Sequence, residues 1–370
     1  MIFWIEQNSI ISYNQLIIDL KNININTNSS LPGYDHFLKL IKNLTKGNVF
    51  NSIDELHKFL LHKSFNQNFI IQTSGTTSDP KNINVSFKKC IRQVKIKHNQ
   101  EQQVWANCYP FISFACTQVF FQAFFNNDVI VYCFDNNFKS ISDVLIKEKV
   151  TNLACTPTFL NMLIINADKK NNHIKTITTG GEKLNESILK SYKLTFPNAK
   201  YINIYASTEV GSLLYSNSNV FKIQESLKLH VKIHKNELLV HKKLINDSIE
   251  NNFINDWFHT GDEVTMVDHE SFIFKIRKSN YINTGGYRVN PIEIEDSIIN
   301  IDGIDDVRVF GRKNSILGTI ICAEIISSKL DIKQIKLLLK SKLENFKIPQ
   351  IIKMVNELSL TKSGKKSRIL

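Results

Sequence analysis

The chain has 370 residues, of which 42% are hydrophobic and 22% are charged. This globular composition and this length suggest two or three domains, so a disordered scaffold and a small disulfide-stapled module are both excluded. Lys and Arg outnumber Asp and Glu by 46 to 34, which gives a net charge of +12. Such an excess suits an anionic partner, but no Lys/Arg block is longer than three or four residues. The excess is therefore interpreted as diffuse surface charge, and no nucleic-acid site is predicted.

The cysteines and the apolar segments indicate a reduced, cytoplasmic protein. The six cysteines form no CxxC pair and no Cys/His cluster at metal-ligand spacing, and most lie in apolar runs. The N-terminus lacks the basic and apolar segments of a signal peptide. The most apolar stretch, residues 108–134, is interrupted by polar residues, so no membrane span is predicted.

The first half of the chain has the pattern of an α/β domain. From about residue 68 to 205, short apolar runs alternate with helical patterns, which predicts βαβ units around a largely parallel sheet. Ser86 is a candidate cap for a helix whose apolar face begins at Phe87. The predicted strands are Phe69–Gln72, Val104–Tyr109, Val129–Phe134, Asn152–Cys155, Thr176–Thr178 and Tyr201–Tyr205.

The pattern changes twice in the second half. After Val210 the apolar segments become shorter, and near residue 278 a small α+β unit begins. Its clearest signal is Asn290-Pro291-Ile292-Glu293, an N-cap, a first-turn proline and a capping-box glutamate, which predicts a helix through Ile299. The remaining predicted elements are the strands Leu238–His241, Phe272–Ile276, Asp306–Phe310, Thr319–Ile326 and Ile351–Val355 and the helix Ile332–Leu343. The predicted fold class is α/β, with a large domain of mixed and parallel sheets over residues 1–277 and a small α+β domain over residues 278–370.

A segment rich in hydroxyl groups follows directly on the first strand of the α/β region. Residues 73–81 read Thr-Ser-Gly-Thr-Thr-Ser-Asp-Pro-Lys. A permissive backbone, short donors and one cation are what a phosphate-binding loop needs. The segment is not a Walker A loop, and an ordinary Ser/Thr-rich turn is the alternative.

Two further segments carry side chains suited to a nucleotide. Residues 205–209, Tyr-Ala-Ser-Thr-Glu, end a predicted strand, and such residues can stack on a base, bond a phosphate and hold Mg²⁺. In residues 257–262, Trp-Phe-His-Thr-Gly-Asp, the aspartate could bond ribose hydroxyls. A strand end with a solvated glutamate and an Asx-type turn are the respective alternatives.

The last two segments lie in the small domain. Residues 277–296 contain Gly285-Gly286, which allow a close approach by a large ligand or simply form a turn. Residues 360–368, Leu-Thr-Lys-Ser-Gly-Lys-Lys-Ser-Arg, would by composition alone be a frayed basic tail.

In this order and at these separations, the five segments resemble the signature motifs of the adenylate-forming superfamily. That superfamily includes acyl-CoA synthetases, adenylation domains of peptide synthetases and luciferases. The resemblance spans about residues 69–370, most of the chain. It implies an AMP-forming ligase that uses ATP, Mg²⁺ and CoA, and a small C-terminal domain that is mobile.

The resemblance also implies roles for individual residues around ATP. The hydroxyl-rich segment would hold the β- and γ-phosphates through Thr73, Ser74, Gly75, Thr76, Thr77 and Lys81. Gly180, Gly181 and Glu182 would lie along the adenine and the acyl pocket. Tyr205 would stack on the adenine, Thr208 would contact the α-phosphate, Glu209 would bind Mg²⁺, and Asp262 and Arg277 would hold the ribose.

Lys365 matches the catalytic lysine of the superfamily, which reaches into the cleft from the small domain. It would bridge the attacking carboxylate and the α-phosphate, and together with Thr208 and Glu209 it forms the predicted catalytic set. The small domain would then rotate about a hinge near Ser279 and present Gly285 and Gly286 to a pantetheine thiol. CoA is the predicted acceptor of the acyl group, and a carrier-protein phosphopantetheine is the alternative.

Two departures from the superfamily pattern bear on the substrate, and the first concerns the acyl pocket. Residues 109–113, Tyr-Pro-Phe-Ile-Ser, stand where many acyl-CoA synthetases have a Pro-x-x-His element. The phenylalanines Phe114, Phe120, Phe121, Phe124 and Phe125 either line an acyl pocket or belong to the core, and the core is favoured.

Because the phosphate loop begins at residue 73, the large domain is expected to be N-terminally shortened. This compact form resembles the o-succinylbenzoate-CoA ligases of menaquinone synthesis and short synthetases of surface-polysaccharide acylation. We predict a generic acyl-CoA ligase acting on a small carboxylic acid. A carrier-loading enzyme, an o-succinylbenzoate-CoA ligase and a non-catalytic nucleotide-binding paralogue are the alternatives.

Overall fold

The structure is a computed structural model. It describes residues 1–22, 31–73, 81–97, 100–134, 137–184, 186–246, 249, 251–275, 281–314, 318–359, 361 and 365–366. Within these residues, no helix combines the length and the apolar character that crossing a membrane would require.

The first part of the chain alternates strands and helices. In order these are β1 (Ile2–Glu6), β2 (Ser9–Ser12), α1 (Tyr13–Asn22), α2 (Pro32–Leu44), α3 (Ile53–Leu60), β3 (Asn68–Thr73), β4 (Lys81–Ser86), α4 (Phe87–Ile91), β5 (Val104–Asn107), α5 (Phe114–Phe124), β6 (Val129–Tyr132), α6 (Phe138–Lys147), β7 (Asn152–Cys155), α7 (Pro157–Ile165), β8 (Thr176–Gly180), α8 (Glu186–Thr195), β9 (Lys200–Ser207) and β10 (Gly211–Ser216). An eight-stranded sheet runs through this part in the order β10-β9-β8-β7-β5-β6-β1-β2. Its inner strands pair in parallel and its two edge strands, β2 and β10, pair antiparallel, so the predicted largely parallel sheet is confirmed.

The prediction that the strand Phe69–Gln72 belongs to this sheet is wrong. β3 is a strand as predicted, but it pairs antiparallel with β4 in a separate hairpin, with Thr73 opposite Lys81. A parallel crossover needs a dozen or more residues, and the segment 74–80 between the two strands is too short for one.

Helices α5 and α7 cover the sheet and begin at clear caps. The Ser113 hydroxyl accepts from the Cys116 N–H at 3.1 Å, and the Thr156 hydroxyl accepts from the Phe159 N–H at 3.1 Å. β7 is buried along its whole length, as expected for a strand with helices on both faces. The cap of α4 differs from its prediction: Ser86 occupies the N-cap but makes no side-chain cap bond.

An aromatic core fills the space beneath α5. Phe120 and Phe37 stack with centroids 4.1 Å apart, and Phe120, Phe121 and Phe124 are fully buried. The core interpretation of these phenylalanines is therefore confirmed. Phe114, at the start of the helix, is buried in the same core, and its ring lies 3.5 Å from where a Cβ on Gly211 would stand.

Two neutral histidines belong to this core. The His57 ring contacts Phe124 edge-on at 4.5 Å, and its Nε2 has no partner among the described residues. Burial lowers the pKa of His57 to about 4. The pKa of His36, between Phe37 and Phe111, is also lowered to about 4, first by burial and then by Lys39.

Acid is therefore expected to destabilise the fold through these two residues. Histidine in the unfolded chain protonates near pH 6.5, so the unfolded state binds more protons between pH 6.5 and 4. These histidines leave the free energy of unfolding unchanged above pH 6.5 and lower it as the pH falls toward 4, by roughly 3 kcal/mol per histidine. We expect His57→Phe to flatten the pH dependence of urea unfolding between pH 7 and 4.5. His269→Phe, at an exposed turn, is the control, and an equal slope in both variants would contradict the prediction.

The middle of the chain forms a second, antiparallel sheet. Its strands are β11 (Val220–Lys222), β12 (Val231–His234), β13 (Glu237–His241), β14 (Phe253–Ile254), β15 (Trp257–Met266) and β16 (Ser271–Phe274). They are arranged in the order β11-β16-β15-β13-β12, with β14 also paired to β15. The predicted strands near residues 238 and 272 are both present.

The last part of the chain is the smaller C-terminal domain. It contains β17 (Ile282–Thr284), β18 (Tyr287–Val289), α9 (Pro291–Ile299), β19 (Asp306–Asn314), β20 (Gly318–Ile326), α10 (Ile332–Lys340) and β21 (Ile351–Met354). β19, β20 and β21 form one sheet, and β17 and β18 a hairpin. The predicted helix after Asn290 is confirmed, with the Asn290 side chain accepting from the Ile292 N–H at 3.0 Å. The predicted boundary at residues 277 and 278 lies outside the described residues and stays a prediction.

Candidate functional site

Two predicted segments emerge side by side from the large sheet. β8 and β9 are parallel neighbours with Gly180 opposite Ile204, so residues 180–182 and 205–209 leave the sheet at the same edge. A Cβ on Gly180 would stand 2.9 Å from the Ile204 carbonyl oxygen, closer than real contacts allow. Only glycine lets these two strand ends approach in this way.

Tyr205 and Asp262, predicted to hold the adenine and the ribose, are in direct contact. The Tyr205 hydroxyl donates to Asp262 Oδ2 at 2.6 Å, a charge-assisted bond between residues far apart in sequence. Phe274 stacks on the Tyr205 ring with centroids 4.2 Å apart and planes at 11°. This contact holds the ring in a fixed plane beside the Asp262 carboxylate.

Asp262 lies in a bulge of β15 that places it beside Tyr205. The register in which β13 pairs with β15 shifts between Glu237 and Leu239. Glu237 spans the shift, accepting from the Gly261 N–H at 2.9 Å and bonding His259 Nδ1 at 3.0 Å. Gly261 has a φ of +72°, which disfavours any other residue. Sequence reasoning missed Glu237, because a glutamate at the start of a strand is not distinctive.

Thr208 and Glu209 lie in the turn between β9 and β10. Asn246 holds this turn through its side-chain amide, which donates to the Thr208 carbonyl at 2.6 Å, and its N–H, which donates to the Glu209 carbonyl at 2.9 Å. The side chains of both turn residues are half-buried and accessible to a ligand. Asn246 was not predicted, and its only sequence signal is a polar residue at the end of an apolar run.

The surroundings of Glu209 fit a magnesium ion that is held mainly by its substrate. No group of three or more His, Cys, Asp or Glu in the described part of the chain could hold a metal by itself. Mg²⁺ usually takes one or two carboxylates and completes its shell with phosphate oxygens and water. One half-buried carboxylate beside a threonine is consistent with that chemistry.

Arg92 and Lys89 also support this turn, the first directly and the second through the segment that carries Asn246. Arg92 donates to the carbonyls of Val210 at 3.0 Å and Ser212 at 3.4 Å. Lys89 donates to the Ile245 carbonyl, next to Asn246. Arg92 thus supports the end of this turn and Lys89 supports the segment that carries Asn246, and no sequence pattern indicated either contact.

The supposed basic tail reaches this edge of the sheet. A Cβ on Gly181 would lie 3.3 Å from Lys365 Cε and 3.4 Å from Lys365 Nζ, so the lysine side chain lies directly over this glycine. The Thr361 N–H donates to the Lys365 carbonyl at 2.7 Å, which fixes the backbone of the lysine. The structure therefore brings Lys365 to the segment predicted to lie along the nucleotide.

The other predicted residues are placed only in part. Ser74, Gly75, Thr76, Thr77, Arg277 and Ser279 lie outside the described residues, and Thr73 and Lys81 are described through their backbone pairing alone. Gly285 and Gly286 form the β17–β18 turn with φ of +52° and +84°, which requires glycine or an equally permissive residue. Their predicted roles remain predictions.

Two family models match the chain. The model described as AMP-binding enzyme matches residues 62–232, and the model described as AMP-binding enzyme C-terminal domain matches residues 293–365. Together they account for about two thirds of the chain. The candidate site uses residues of both matched regions, since Tyr205 lies in the first and Lys365 ends the second.

Curated relatives are distant and longer. A putative long chain fatty acid-CoA ligase of Staphylococcus haemolyticus is 25% identical over 60% of this chain and 52% of its own length. Bacitracin synthase 3 of Bacillus licheniformis is 23% identical over 81% of this chain but 5% of its own length. A 2-succinylbenzoate-CoA ligase of Listeria monocytogenes is 24% identical over 81% of this chain and 68% of its own length. The chain thus spans about half the length of the first of these relatives.

Solved structures share the fold. An o-succinylbenzoate CoA synthetase from Bacillus subtilis, in complex with an acyl-adenylate intermediate, aligns with a TM-score of 0.59 at 18% identity, over 81% of this chain and 67% of that one. ATP-bound MatB from Rhodopseudomonas palustris aligns with a TM-score of 0.63 at 19% identity, over 80% of this chain and 66% of that one. At this identity the likeness shows a common α/β fold with a smaller C-terminal domain.

Proposed function

The chain belongs to the AMP-binding enzyme family, and from this premise we propose that it is an AMP-forming acid-thiol ligase. It activates a small carboxylic acid with ATP and passes the acyl group to CoA. The observation that carries the proposal is the position of Lys365, a residue of the C-terminal segment that lies over Gly181, at the sheet edge that also bears Tyr205 and Glu209.

Four residues of the candidate site then have a role in holding ATP. The adenine stacks on the face of Tyr205 that Phe274 leaves open, and Asp262 accepts from a ribose hydroxyl. Thr208 bonds the α-phosphate from the turn that Asn246 fixes. Glu209 would hold Mg²⁺, which would neutralise charge on the phosphate oxygens. The hydroxyl-rich segment 73–81 and Arg277 complete the proposed nucleotide site.

Lys365 makes the first half-reaction possible. A carboxylate oxygen attacks the α-phosphorus, the bond from that phosphorus to the bridging oxygen breaks, and pyrophosphate leaves with the electron pair. Two anions must meet in this step, and the proposed role of the Lys365 ammonium, which lies over Gly181, is to bridge them. It supplies both positioning and charge stabilisation, and the product is an acyl-adenylate.

The second half-reaction exchanges AMP for a thiol. The small domain, with its proposed boundary at residues 277 and 278, rotates about a hinge near Ser279 and withdraws Lys365. The turn at Gly285 and Gly286 then faces the cleft, a thiolate attacks the acyl carbon, and AMP leaves with the electron pair. The buried, unpaired state of all six cysteines supports a reducing, cytoplasmic setting for this chemistry.

Loading of a carrier protein is the second candidate function. Bacitracin synthase 3 matches over most of this chain, and a net charge of +12 would attract an acidic carrier. An o-succinylbenzoate substrate is a third candidate, supported by the ligases of that name among the relatives.

Pyrophosphate release that requires an added carboxylic acid tests the proposal. We expect release from Mg·ATP with at least one class in a panel of aromatic, short-chain, hydroxy and long-chain acids and o-succinylbenzoate, followed by thioester formation with CoA. Product with carrier proteins but none with CoA would move the function to carrier loading. ATP binding without release for any acid would favour a non-catalytic nucleotide-binding protein.

A further inference from the structure

Glu182 joins the two parts of the molecule through a single carboxylate. Its Oε2 accepts from the Thr158 N–H at 3.2 Å, in the first turn of α7, where unsatisfied N–H groups favour an anion. Its Oε1 accepts from the Lys366 N–H at 3.1 Å, in the C-terminal segment. The carboxylate is therefore anchored at the N-terminus of α7 and holds the backbone of Lys366, the residue next to Lys365.

Lys366 ties the same segment to the small domain. Its Nζ donates to Asp306 Oδ1 at 2.7 Å and to the Val307 carbonyl at 2.7 Å, at the start of β19. Side-chain exposure is 13% for Lys366 and 2% for Asp306, so this ion pair is shielded from water. The backbone of residue 366 thus bonds the large domain while its side chain bonds the small one.

This double attachment decides where Lys365 points. The Lys365 N–H donates to the Thr361 hydroxyl at 3.3 Å and its carbonyl accepts from the Thr361 N–H, so the backbone of Lys365 is bonded on both sides to Thr361. At the next residue the backbone bonds Glu182. With both sides of Lys365 held, its side chain projects over Gly181.

A second contact between the same two parts is weaker. Lys183, next to Glu182, lies 3.8 Å from Asp296 on α9, and the two side chains are 36% and 46% exposed. Exposed pairs at such a distance contribute little. This pair offers a matched control, because it joins the same surfaces without touching the Lys365 segment.

We propose that Glu182 is a positioning residue for adenylation: by holding the backbone of Lys366 on the N-terminus of α7, it holds Lys365 in the cleft, and release of this bond frees the small domain for the thiol step. The inference rests on the proposed function and gives Glu182 a role other than contact with the nucleotide. It predicts that loss of the carboxylate impairs one half-reaction only.

Kinetics of the separate half-reactions test this role. We expect Glu182→Ala to lower kcat of ATP–pyrophosphate exchange by at least about 10-fold, with KM for ATP within about 2-fold of the parent chain. Thioester formation from a supplied acyl-adenylate should be unchanged, and Asp296→Asn should match the parent in both assays. A raised KM for ATP at unchanged kcat would overturn the proposal in favour of nucleotide binding. Equal loss of both half-reactions would overturn it in favour of a structural role.

A distance measurement separates this proposal from the proposed function. Spin labels at Leu194→Cys and Leu337→Cys, which replace side chains 69% and 70% exposed, report on the two parts, and the native cysteines are all buried. We expect one narrow distance distribution in the labelled parent and in Asp296→Asn, and a broader one in Glu182→Ala. An unchanged distribution in Glu182→Ala would overturn the proposal even in an active enzyme. A broadened distribution in a chain that adenylates no acid would support the attachment and refute the ligase function.

Discussion

Replacement of Lys365 by alanine is expected to lower ATP–pyrophosphate exchange by about 10²- to 10³-fold, the usual cost of removing one preorganised charge-stabilising group. The side chain lies over Gly181, where the carboxylate and the α-phosphate would meet. Without its ammonium the two anions repel each other in the attack. Thioester formation from a supplied acyl-adenylate should be largely preserved, since the small domain withdraws this lysine before the thiol enters.

The matched control is Lys340→Ala, which removes an exposed lysine at the end of α10 in the same domain. It lowers the net charge by the same amount and should leave both half-reactions intact. Comparable losses of both half-reactions in Lys365→Ala would show that the lysine is structural. Comparable losses in both variants would show that overall charge governs the rate.

Replacement of Glu324 by alanine is expected to destabilise the C-terminal domain by about 3–5 kcal/mol, because it removes one partner of a buried ion pair. Arg308 donates to Glu324 Oε2 at 3.0 Å, and the two side chains are 1% and 11% exposed. Glu324 also accepts from the Ser359 N–H at 3.3 Å, so it ties the approach to the C-terminal segment onto β20. Urea unfolding followed by circular dichroism, with amide exchange of β19 and β20, measures the loss.

Glu344→Ala is the comparison for this variant. Glu344 belongs to the same domain and bonds Lys347 at 3.0 Å, but its side chain is 64% exposed. Its loss should cost less than about 1 kcal/mol, as for other surface pairs. A similar small cost for Glu324→Ala would mean that Arg308 is satisfied without this carboxylate, and that the buried pair does not hold the domain together.

Local sequence signals predicted the elements that depend on neighbouring residues. Asn290 and Pro291 start a helix because a side-chain acceptor and a fixed φ act within one turn. Asn152–Cys155 is a strand with the predicted bounds, because an apolar run between polar turns is buried on both faces. The order of the five segments likewise predicted a nucleotide site, and two of its predicted residues, Tyr205 and Asp262, are in contact.

The residues that support the site could not be predicted in this way. Glu237 and Asn246 contact backbone groups of the site, and such bonds leave no periodic or compositional trace. The resemblance predicted that Glu182 lies along the adenine and the acyl pocket, and no sequence signal indicated that its carboxylate also accepts from the N–H groups of Thr158 and Lys366. The same limit applies to β3, whose strand character was evident but whose partner was not.

By itself, the sequence determined the kinds of elements, their order and the chemistry that the motifs carry, because caps, apolar periods and turn residues act over a few positions. Only the tertiary structure decided that the phenylalanines of α5 form core, that β3 pairs with β4, and that the last lysines lie against Gly181 and Glu182. The physical reason is that these contacts join residues far apart in the chain. Their free energy comes from burial and complementary hydrogen bonds that exist only once the sheets and the C-terminal domain have come together.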